Sequence, residues 1–200
     1  MTTFYLIRHG QIDANVERLW HGSTDSPLNE IGCSQAEKMG RYISLKYPCI
    51  SKIYSSPLKR TITTAEALSE HYDLEPVPHS GLREYGVGEW EGHDYDAIID
   101  KYQFMTQLEQ DHNFAPPGGD SLSDVRHRML AAFEEIRDKH PEEHIAIVGH
   151  GAAFAIAMSV VLLGKAFPFY EYHMDNTGVS VLHWGPDPEL VHFNETAHLA

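Results

Sequence analysis

Two segments of this chain end an apolar run in a histidine followed by glycine, and this repeated pattern constrains the fold most. The first is Thr3-Phe4-Tyr5-Leu6-Ile7, running into Arg8-His9-Gly10. The second is Ile145-Ala146-Ile147-Val148, running into Gly149-His150-Gly151. Short apolar runs bounded by glycine read as strands buried on both faces, the pattern of a parallel sheet covered by helices. In open α/β sheets, ligands sit in the crevice beyond the carboxyl ends of the strands. The pattern therefore predicts that His9 and His150 lie side by side on a crevice floor.

The rest of the chain alternates as such a sheet requires. A helix is expected over about 31–46, with Ala36, Met39, Gly40 and Ile43 on its apolar face. Residues 51–55 read as a strand, and Ser56-Pro57 as the N-cap and first residue of a second helix. Its apolar stripe is Leu58, Ile62, Ala65 and Leu68; Arg60 lies off that stripe in the first turn, where helix N–H groups favour an anion. Glu75-Pro76-Val77-Pro78 fits an edge strand, because proline cannot donate to a central ladder. Residues 82–92 hold three glycines and three glutamates. The aromatic stretch 94–117 is weakly patterned and is expected to form one or two short helices, a cap insertion over the site. Ser121 and Asp124 form a cap pair for a helix with Leu122, Val125, Met129, Phe133 and Ile136 inward. A helix from Ala152 to Leu163 and a closing hairpin (179–184, 189–193) complete an α/β chain with a mostly parallel sheet, expected to form a single domain over 1–200.

Composition narrows the partners. The net charge is −14, which argues against nucleic acid or an anionic membrane, since both call for basic surface. Cys33 and Cys49 suggest neither a disulfide framework nor a metal site. His112, His127, His140 and His144 lack the paired spacing of zinc ligands and read as solvated. No basic-then-apolar leader is visible and the longest apolar run is too short to cross a bilayer, so a cytoplasmic location is expected. The exposed face of the terminal hairpin could support a homodimer.

Arg8, His9, Arg60, Glu84 and His150 all fall at expected strand ends or helix starts. Two arginines and two histidines concentrated in an acidic chain suit a tetrahedral anion, because guanidinium forks match phosphate oxygens. A neutral imidazole there can attack phosphorus, and a carboxylic acid can protonate the leaving oxygen and then activate water. This scheme requires no metal and no cofactor. Spacing alone does not choose among Glu84, Glu89 and Glu91 for the acid.

Leu-Ile-Arg-His-Gly at 6–10 resembles the signature of the histidine phosphatase (phosphoglycerate mutase-like) superfamily. The likeness continues through Asn15, Gly22, Asp25, Pro27-Leu28, Gly32 and Gln35-Ala36. It extends through Ser55 to Thr61, Leu82-x-Glu84 with Gly88-x-Trp90-Glu91-Gly92, Gly118 to Ser121, Val148 to Gly151 and Asn176-Thr177. It implies a three-layer α/β/α sandwich, with His9 as nucleophile, Glu84 as acid and base, and Arg8, Arg60, His150 and Asn15 binding phosphate. Gln11 and Ala14 stand where many members carry an acidic residue and a tryptophan. The chain also lacks the extra segments expected of a glycolytic mutase. The resemblance thus favours a metal-independent phosphatase acting on a small phosphorylated metabolite. The alternatives are a cofactor-dependent phosphoglycerate mutase and a non-catalytic phospholigand-binding module.

Overall fold

The two apolar runs are adjacent parallel strands at the middle of one sheet. A computed structural model describes residues 1–200. Its elements run β1 (Thr2–Arg8), α1 (Asp13–Val16), α2 (Glu30–Lys46), β2 (Lys52–Ser55), α3 (Lys59–Ser69) and β3 (Val77–Pro78). Then follow α4 (Tyr95–Lys101), α5 (Phe104–Gln110), α6 (Leu122–Lys139), β4 (His144–Gly149), α7 (Gly151–Leu163), β5 (Val179–Trp184) and β6 (Glu189–Glu195). The sheet order is β3-β2-β4-β1-β5-β6. The first four of these strands are mutually parallel, and the hairpin β5–β6 adds the antiparallel edge.

Alternation along β1 divides the core into two layers. Phe4 and Leu6 face a cluster with Met129 and Phe133 of α6 and Phe154 of α7. Tyr5 and Ile7 face a second cluster with Met39 and Ile43 of α2 and Ala65 and Leu68 of α3. Helices thus cover both faces of a mixed, mostly parallel sheet, which is why β1 and β4 read as continuous apolar runs rather than alternating ones. Phe4 meets Phe133 and Trp184 edge-on at 5.4 and 5.6 Å between ring centroids.

Local signals set most boundaries. Ser121 Oγ accepts the Asp124 N–H at 3.1 Å and the Asp124 carboxylate accepts the Ser121 N–H at 2.9 Å, a reciprocal cap on α6. α3 departs from its expected start. It begins at Lys59, after Leu58, because Ser56 Oγ is turned to His150, and the Lys59 N–H is capped instead by Asp25 Oδ1 at 2.7 Å. Its buried face also differs from the expected stripe: Arg60, Thr61, Thr64, Ala65 and Leu68 are buried, while Leu58 and Ile62 are half-buried. The first turn of α3 lies beneath the strand ends, where polar side chains find partners.

Residues 94–117 fold as α4 and α5. Their aromatic residues mainly pack: Trp90 and Tyr102 stack at 4.3 Å, and Phe104 is buried. His140 and His144 are half-buried rather than solvated, each bonded at 2.9 Å to a phenol, of Tyr54 and Tyr5 respectively. No helix is long and apolar enough to cross a membrane.

Candidate active site

Strand register brings the two histidines together. Arg8 pairs with Gly149 across β1 and β4, so the next residues, His9 and His150, leave the sheet side by side. Their rings lie 5.3 Å apart at 63°. The His9 backbone is held by Gly149 O, which accepts its N–H at 3.0 Å, and by Asn176 Nδ2, which donates to its carbonyl at 3.0 Å. Gly10 N–H donates to Thr64 Oγ1 at 3.1 Å. Gly10 and Gly32 also bring the loop and α2 into backbone contact: a Cβ on Gly32 would lie 2.1 Å from Gln11 O.

The His9 side chain is buried, and its Nδ1–H donates to Gly10 O at 2.7 Å. That bond fixes the proton on Nδ1 and leaves Nε2 with a lone pair. Burial, then the Arg60 and Arg8 cations, hold the imidazole well below the usual histidine range. His150 is shifted in the same direction, by burial, Arg60 and His9. Arg60 Nε donates to His150 Nδ1 at 3.3 Å, so the neutral ring carries its proton on Nε2 and donates it to Ser56 Oγ at 2.8 Å.

A cavity of about 190 Å³ opens above this floor, and Arg8, His9, Asn15 and Glu84 line it. Arg8 Nη1 donates to Met174 O and to His173 Nε2, while its Nε is buried without a partner. Asn15 Oδ1 accepts from Ile12 N–H and Asn176 Nδ2, each at 3.1 Å, which turns its own amide donors outward. Glu84 accepts the Ala153 and Ala152 N–H groups at 2.8 and 3.2 Å and the Tyr85 N–H at 2.9 Å. It therefore sits on the amino end of α7, taking amides that the helix leaves unpaired.

Arg60 and His150 lie beneath the cavity rather than in its wall. Both are fully buried, and Arg60 donates to the carbonyls of Thr24, Gly22 and His21 at 2.7, 2.8 and 3.2 Å. Glu91 takes the other edge of that loop, accepting amide hydrogens from Gly22 and Ser23 at 2.9 Å and Thr24 at 3.2 Å. This separates it from Glu84: Glu91 braces a loop, and Glu84 faces the cavity. Sequence reasoning did not single out His173, which lines the cavity and touches Arg8; it follows a stretch with no periodic signal.

The sequence profile of the histidine phosphatase superfamily (branch 1) matches residues 4–196. The chain belongs to that superfamily. Among curated relatives of this histidine phosphatase, phosphoserine phosphatase 1 of Hydrogenobacter thermophilus is 31% identical over all of this chain and 95% of its own. The crystal structure of Entamoeba histolytica phosphoserine phosphatase with 3-phosphoglyceric acid superposes with a TM-score of 0.86 at 27% identity, covering 100% of both chains. The mycobacterial glucosyl-3-phosphoglycerate phosphatase complexed with VO3 gives 0.85 at 27%, covering 96% of this chain and 98% of that one. The expected superfamily and fold are thus both found, and the superfamily together with the phosphoserine phosphatase relatives supports a phosphomonoester hydrolase.

Proposed function

We propose that this enzyme hydrolyses phosphomonoesters of small metabolites through a phosphohistidine on His9, with Glu84 as acid and then base. One observation carries the reading. The Nδ1–H of His9 is given to Gly10 O at 2.7 Å, which leaves Nε2 unprotonated in a buried ring that resists protonation. An imidazole in that tautomer is a ready nucleophile.

In the first step Nε2 attacks phosphorus, the P–N bond forms and the P–O ester bond breaks. Glu84, protonated, gives its proton to the departing oxygen and the alcohol leaves. In the second step the Glu84 carboxylate takes a proton from water, whose oxygen attacks phosphorus; the P–N bond breaks and phosphate is released. Arg8, through its unpartnered Nε, and Asn15, through its free amide, bind the equatorial oxygens. Arg60 supplies permanent positive charge from below, and His150, its Nε2–H given to Ser56 Oγ, backs the His9 ring at 5.3 Å. Residues 94–117 act as a cap on a single domain, contributing Tyr95 to the cavity wall. The relatives' names, phosphoserine and glucosyl-3-phosphoglycerate phosphatases, support a small phosphorylated substrate.

Phosphate release from a generic aryl phosphate in excess chelator tests this reading, with wild type compared against His9→Ala. Activity in wild type that chelator does not alter, and only background release from the variant, is the expected result. Equal release by both proteins would overturn it.

A further inference from the structure

The cavity's ionic groups and its walls point to different halves of a substrate. Apart from its two tyrosines, five ionisable side chains line it: Arg8, His9, His21, Glu84 and His173. Under the phosphatase reading above, on which this inference rests, a phosphoryl group engages Arg8 and His9. Arg8 is then no longer available, and it is the one permanent cation in the lining. His173 is shifted below the usual histidine range by burial and by Arg8, and its Nε2 already accepts from Arg8 Nη1. His21 Nδ1 is bonded to Ser26 Oγ at 2.8 Å. Arg18, in the groove beside the cavity, is paired through two 2.8 Å bonds with Asp96. Glu84 is the one carboxylate in the lining, and both its oxygens already accept backbone amides. An α-carboxylate, as an amino acid or hydroxy acid carries, would lose water on entering this space and meet no free permanent cation.

The remaining walls are apolar and largely aromatic: Ile12, Leu19, Trp20, Tyr95, Phe169 and Tyr170. Trp20 and Tyr95 stack with ring centroids 5.3 Å apart and planes 17° from parallel. The indole N–H of Trp20 is satisfied by Tyr85 O at 3.3 Å, so its surface toward the cavity is hydrocarbon. Backbone bonds fix this wall in place: Tyr95 N–H to Arg18 O at 2.8 Å and Trp20 N–H to His93 O at 3.0 Å. Tyr170 adds an exposed ring to the same lining.

We propose that the substrate's organic half is an uncharged, flat group, aryl or arylmethyl, rather than an amino acid or hydroxy acid. Stacking on the preformed aromatic wall supplies the selectivity, since aromatic pairs gain beyond their buried area.

The test uses two non-hydrolysable phosphonates of similar length, benzylphosphonate and 2-amino-3-phosphonopropionate, titrated calorimetrically into the full chain. Benzylphosphonate should bind about tenfold or more tightly than its serine-shaped counterpart, roughly one ring's worth of stacking and avoided desolvation. Tyr170→Ala, at an exposed position, should weaken benzylphosphonate about fivefold and leave the other ligand within about twofold. Equal affinities, tighter binding of the serine-shaped ligand, or no binding of benzylphosphonate would each overturn the proposal. Binding needs no turnover, so a failure of the phosphohistidine reading would show separately, as benzylphosphonate binding without phosphate release from benzyl phosphate.

Discussion

Arg60 and Glu91 hold one loop by opposite edges of its peptide groups. Arg60 donates to the carbonyls of His21, Gly22 and Thr24, and Glu91 accepts the amides of Gly22, Ser23 and Thr24. The two charges also support each other, since Glu91 favours the charged form of the buried guanidinium against its desolvation. The loop carries His21 to the cavity wall and Asp25 to the start of α3. The floor of the site is therefore tied to its rim through backbone.

Glu91→Ala should lower unfolding stability by about 2 kcal/mol, the scale for losing hydrogen bonds to a half-buried charge. Activity should fall with it although Glu91 does not line the cavity, and Glu91→Gln should lie between the two. Urea unfolding alongside kcat/KM checks both. An Ala variant with unchanged stability would show that the loop is held by other contacts.

Glu84→Gln removes the proposed proton donor while keeping one oxygen for the amides of α7. Loss of general acid catalysis costs about 10²–10⁴-fold in rate. In the phosphorylation step, followed within a single turnover, the loss should be large for alkyl phosphates, whose leaving oxygens need protonation, and small for nitrophenyl phosphate, whose leaving group departs as an anion. A uniform loss across leaving groups would assign Glu84 to binding or support instead.

Stability and activity should separate on the acid side. His9 and His150 are held neutral in the folded protein, by burial first and then by Arg60, and His173 and His198 are shifted the same way. Unfolded histidines titrate near pH 6.5. As pH falls below that value the unfolded chain binds protons that the native chain refuses, so stability is full above about pH 6.5 and declines toward the lower folded values. The denaturation midpoint should therefore drop between about pH 7 and pH 5, while His9, the proposed nucleophile, remains neutral and available. His150→Asn should flatten the midpoint's pH dependence. A midpoint that rises over the same interval would contradict these shifts.

The approach of the loop after His9 to α2 leaves no room for a side chain. At Gly32 a Cβ would meet Gln11 O at 2.1 Å and Gln11 N at 2.8 Å, both backbone atoms that cannot swing aside. Gly32→Ala should displace the loop bearing His9 and reduce kcat by about 10²-fold, the usual cost of roughly 1 Å of misplacement. Ser34→Ala on the same helix should be silent. Assays of both variants beside far-ultraviolet dichroism would separate misplacement from unfolding, and full activity in Gly32→Ala would show that α2 can yield.

Much of this was legible in the chain because the informative residues act locally. β1 and β4 announce themselves as apolar runs, and α6 is marked by the Ser121–Asp124 cap. The register Arg8 to Gly149 follows from two strands of the same shape side by side. What was not legible depends on distant partners. Ser56 looks like a helix cap, but its hydroxyl is claimed by His150, and Asp25 caps α3 from another segment. Arg60 reads as an anion-binding position in a first helical turn, off the apolar stripe, but its full burial gives no signal, because carbonyls of the 21–24 loop and His150 surround it. His173 gives no signal at all, since its approach to Arg8 is set by the tertiary path of residues 164–176.

The central claim is a phosphoryl group carried on His9. Rapid acid-free quenching during turnover of a labelled phosphomonoester, followed by peptide mapping, tests it directly. The expected result is an acid-labile, base-stable phosphoryl adduct on the peptide containing His9, absent from His9→Ala and accumulating in Glu84→Gln. Turnover by wild type with no adduct at any time, or an adduct that persists in His9→Ala, would contradict it.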